Sequence, residues 1–150
     1  MGWFNPYGLI FMSVLMIPNI IFAIRRYDEF ENAWKNKAVD LLEQIGRFGC
    51  FALMIFNIPG TWFGFYSDTF FAIYLIADSV LVLLYCLIWI VCFKRSTVFR
   101  ALALSILPSM LFLFSALMSR SLLLLAAALV FAPSHITISY KSAALWGHKR

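Results

Sequence analysis

VFRALALSILPSMLFLFSALMSRSLLLLAAALVFAPSHITISY, residues 98–140, decides how this chain is read. A helix that crosses a bilayer needs about 20 mainly apolar residues, and this stretch supplies about twice that. It is interrupted once, at Ser119, Arg120 and Ser121. A tight turn carrying Arg120 therefore divides it into two antiparallel spans, Val98–Met118 and Ser121–Tyr140. Three more runs of the same kind precede it: Phe4–Ile24, Phe48–Tyr66 and Phe70–Phe93, the last two separated by little more than Ser67 and Asp68.

Composition leads to the same class. Of the 150 residues, 63% are hydrophobic and only 13% charged, whereas a water-soluble surface draws on roughly a quarter of its residues as charges. The net charge of +5 is not gathered on one basic module, which argues against nucleic acid as a partner. Cys50, Cys86 and Cys92 form no CxxC pair, so packed reduced thiols are expected instead of a disulfide or a metal site. The first apolar run has no small-residue cleavage site before Arg25. It is expected to be a retained anchor.

The basic residues alternate between connections. Arg25, Arg26, Lys35, Lys37 and Arg47 follow the first span, and the next connection has no base. Lys94, Arg95 and Arg100 lie in the third, Arg120 alone in the fourth, and Lys141, Lys149 and Arg150 in the tail. The positive-inside rule then predicts a multi-pass plasma-membrane protein with its N-terminus outside and its C-terminus in the cytoplasm. Trp3, Tyr7, Trp62, Tyr66 and Tyr74 form an outer aromatic belt in that frame, with Trp89, Tyr140 and Trp146 near the inner face.

Residues 27–46 form the one sizeable connection. Phe30, Trp34, Ala38, Leu41, Leu42 and Ile45 recur at helical spacing, with Asp28, Glu29 and Glu31 at the start and Gly46 at the end. The expectation is a cytoplasmic amphipathic helix lying on the membrane surface, either covering the bundle or binding a partner. The fold class is thus all-α: a compact five-helix transmembrane bundle plus one interfacial helix, in a single domain.

Four spans contain a proline: Pro18, Pro59, Pro108 and Pro133. Each is expected to kink its helix, and the polar neighbours Asn19, Asn57, Ser109 and Ser134–His135 stand beside them. Such breaks either shape a bundle or build a binding site. The pattern is weakly symmetric about the third span, although the halves share no residue-level similarity.

Asp78 is the most telling residue, because a carboxylate within a span is costly unless protonated, paired or wetted. Tyr74, Asp78, Tyr85 and Trp89 share one face at 100° per residue and should point into the bundle. Helical rise puts Asp78 about 12 Å deep, near the level of Asn57. His135 falls near the level of Asn19, about 9 Å from Asp78 along the membrane normal. His135 reads best as a satisfied structural histidine, and Asp78 as either a binding or proton-titrating group or an acid held by a tyrosine or Asn57. Close helix packing is expected at Gly60 and Gly64, at Ala101, Ser105 and Ser109, and at Ala128 and Ala132.

The chain has no HExxH, GxSxG or GxxxxGK[ST] motif. It is expected to be no enzyme, with no cofactor, and its obligatory partner is the lipid bilayer. Two functions fit. The first is a non-catalytic membrane subunit or assembly partner that binds another membrane protein. The second is a small homo-oligomeric transporter that uses Asp78.

Overall fold

The computed structural model describes residues 2–25, 33–94 and 97–148. Among these, five helices account for nearly all regular structure: α1 (Pro6–Arg25), α2 (Lys37–Ile55), α3 (Asp68–Cys92), α4 (Val98–Met118) and α5 (Leu122–His148). Four of them, α1, α3, α4 and α5, are long and apolar enough to cross a membrane. Local chemistry sets several ends. Ser67 caps α3 by accepting from the Phe70 amide, and Thr97 caps α4 by accepting from that of Arg100. The turn between α4 and α5 is as tight as expected, with Arg120 at a φ of 53°.

The helices alternate in direction between the same two ends. At one end the start of α1 meets the end of α2: the Asn5 amide donates to the Ile55 carbonyl and the Asn57 amide to the Trp3 carbonyl, each at 2.7 Å. The segment after α2 joins the α4–α5 turn there, the Leu122 amide donating to Thr61 and the Phe63 amide to Arg120. At the other end Arg100, opening α4, donates to the Cys92 and Phe93 carbonyls that close α3. Its guanidinium lies 5.0 Å from the Phe22 ring of α1. Arg25, Lys37, Lys94 and Lys141 also belong to this basic end. Side by side, the helices close a circuit in the order α1, α3, α4, α5, α2 and back to α1.

Several expectations around α2 need correction. Residues 37–46 and 48–55 are one helix and not two elements, because the Asn36 side chain caps it through the Ala38 and Val39 amides and the helix runs on through Gly46. Gly46 is no terminus. A Cβ there would stand 2.8 Å from the Phe131 backbone, so its missing side chain lets α2 press against α5. The earlier part of the expected surface helix lies outside the described residues up to Asn32, and Ala33 and Trp34 form a bend.

The helix then stops at Ile55, well short of Tyr66. Phe56 turns extended and pairs with Phe4. Pro59 kinks no helix but stands in the following loop, where Gly60 and Gly64 take φ values of 86° and 74°. Those angles favour glycine, so this pair serves a turn and not a helix-packing motif.

Candidate functional site

Pro18, Pro108 and Pro133 do stand inside α1, α4 and α5. The residue after each bonds back to its own helix: Asn19 Nδ2 to the Leu15 carbonyl, Ser109 Oγ to Ser105 and Ser134 Oγ to Val130. The polar neighbours of the prolines thus satisfy backbone near the break. Ser105 and Ser109 are buried, Ala101 is half-buried, and Ala128 is fully enclosed with Ala132 half-buried, so both small-residue stripes face neighbours.

The expected inward face of α3 is present: Tyr74, Asp78, Tyr85 and Trp89 are all buried. Its polar groups go to three different places. Tyr74 accepts from Asn5 Nδ2 at 3.3 Å. Asp78, with 0% exposure, accepts from Ser115 of α4 at 2.5 Å. Tyr85 donates to Asn19 Oδ1 at 2.9 Å. The acid is held by a serine, and not by Asn57, whose amide nitrogen donates to the Gly2 carbonyl instead.

His135 and Asn19 both line a half-open cavity of about 340 Å³ walled by all five helices, together with Tyr85, Arg47, Pro108 and Phe112. Beside it, the buried Glu43 of α2 binds His135 Nδ1 at 2.9 Å and Arg47 through Nε and Nη2, all on one carboxylate oxygen. A carboxylate accepts, so Nδ1 carries the proton of this bond. The His135 ring also stacks on Phe131, with centroids 4.6 Å apart.

Of the six site residues expected from sequence, Asn19, Tyr85 and His135 come together here. Asp78, Tyr74 and Asn57 lie elsewhere in the bundle. Glu43 and Arg47 escaped sequence reasoning because Glu43 reads as the polar side of a surface helix and Arg47 as a topology-setting base beyond its end. Their i,i+4 spacing was the available signal, while the link from Glu43 to His135 spans 92 positions.

No protein-family model, curated protein or solved structure matches the chain.

Proposed function

We propose that the chain is an integral membrane protein in which all five helices cross the bilayer, and that it works as a non-catalytic membrane subunit or assembly partner. The observation that carries the fifth crossing is the outer face of α2. Leu41, Ile45 and Phe48 are 58%, 60% and 69% exposed, while Glu43 on the inner face is 5% exposed. A helix on a water-soluble protein buries its apolar side; this one presents it outward. Lipid is the solvent that suits such a surface, and α2 packs along α5 in the opposite direction. The basic end then faces the cytoplasm of a plasma membrane, with the N-terminus outside.

The subunit reading rests on how the buried polar groups are spent. Asp78 with Ser115, Asn5 with Tyr74, Asn19 with Tyr85, and Glu43 with His135 each tie one part of the bundle to another. Groups engaged in this way hold a scaffold together. Affinity capture of the tagged chain from its native membrane in mild detergent tests the reading. A partner recovered at fixed ratio in repeated preparations is expected. A homogeneous species containing this chain alone would contradict it. The transport reading draws support from the cavity between the helices and not from Asp78, which does not line it. A solute flux that survives Asp78→Asn and fails in Tyr85→Phe would favour that second reading.

A further inference from the structure

The half-open cavity between the helices has a chemistry that neither role requires. One part of its wall is apolar, with Met16 and Ile20 from α1, Phe51 from α2 and Phe112 from α4. Another is polar and carries Arg47 and His135. Glu43 is not in the lining: it stands behind these two groups and holds both on a single oxygen. With a neutral imidazole the three groups sum to zero charge, and with an imidazolium to +1. The carboxylate is therefore turned to its neighbours while the guanidinium and imidazole meet the cavity. A cation entering would meet the Arg47 guanidinium before the Glu43 carboxylate behind it. An anion would meet the Nη1 side of the Arg47 guanidinium, whose Nε and Nη2 already donate to Glu43.

Size and place narrow the ligand further. At about 340 Å³ the space lies at the small end of the roughly 300–1,000 Å³ typical of small-molecule sites. Its walls include residues 15–23 of α1, the helix joined only to α2 and α3 in the circuit. An inorganic ion would leave the apolar wall without a use, and an uncharged hydrocarbon would leave Arg47 without one.

We propose that the cavity is a binding site for an anionic amphiphile, a carboxylate or phosphate monoester on an apolar chain. Its head lies against Arg47 and His135 and its chain against Met16, Ile20 and Phe112. Glu43 is a positioning residue that keeps the Arg47 guanidinium and the His135 ring side by side. The site is independent of whether the chain serves as a subunit.

The test uses the full chain in phosphatidylcholine nanodiscs with radiolabelled oleyl phosphate as the probe. Saturable binding of one molecule per chain is expected. Oleyl alcohol should compete at least tenfold more weakly, and inorganic phosphate should not compete. Arg47→Gln should weaken binding at least tenfold. Because that change also disturbs the Glu43 pairing, Ala23→Phe provides a second variant that fills the cavity from α1 while leaving those side chains in place. It should abolish binding with the helical circular dichroism unchanged. Absence of saturable binding, equal competition by oleyl alcohol, equal competition by inorganic phosphate, or undiminished binding to a folded Ala23→Phe protein would each overturn the proposal.

Discussion

Asp78 illustrates how much a single residue disclosed in advance. Its burial followed from the cost of a carboxylate in an apolar span, and its inward direction from the spacing of Tyr74, Tyr85 and Trp89. Its partner did not follow, since Ser115 is 37 positions away and resembles any other serine of an apolar helix. Asp78→Asn keeps an oxygen for the Ser115 hydroxyl and should change resistance to denaturing detergent by less than about 1 kcal/mol. Asp78→Ala strands that hydroxyl and should cost about 1–3 kcal/mol. Equal resistance of the two variants would show that the bond contributes nothing. Glu43 is the other residue to change. Glu43→Gln removes the charge that both Arg47 and His135 share, and a loss of about 1–3 kcal/mol is expected in the same unfolding measurement. Wild-type resistance in this variant would remove the cluster from the account of stability.

Elements were legible in proportion to their uniformity. Val98–Met118 has the same limits in sequence and structure, and the break at Ser119–Ser121 was plain because a single basic residue interrupts an apolar run. The second span was misjudged because composition and conformation disagree there. Phe56, Ile58, Trp62, Phe63 and Phe65 look like a span, yet Pro59–Gly60 and Gly64 turn the chain. The Pro-Gly pair was the signal that outweighed the hydropathy. The first half of α2 was misjudged in the other direction, since Glu43 is buried there against Arg47 and His135. Two tests belong to this helix. Gly46→Val places side-chain atoms against the Phe131 backbone and should destabilise the bundle by about 1–3 kcal/mol, whereas the same change at the exposed Gly2 should be silent. Ile45→Lys puts a charge on the exposed apolar side of α2 and, if this helix crosses, should lower the inserted fraction at a cost of about 2–3 kcal/mol on insertion scales. Unchanged insertion would mean that this face meets water.

At the scale of the molecule, the five-helix circuit makes the direction of α2 decisive. If α2 crosses, Lys37 at its start and Tyr66 beyond its end lie on opposite sides of the membrane. The direct measurement is labelling of Lys37→Cys and Tyr66→Cys with a membrane-impermeant maleimide on intact cells, with Cys50, Cys86 and Cys92 replaced by alanine. Immediate labelling of Tyr66→Cys, and of Lys37→Cys only after permeabilisation, is the result expected of five crossings. Labelling of both positions from the same side would contradict it.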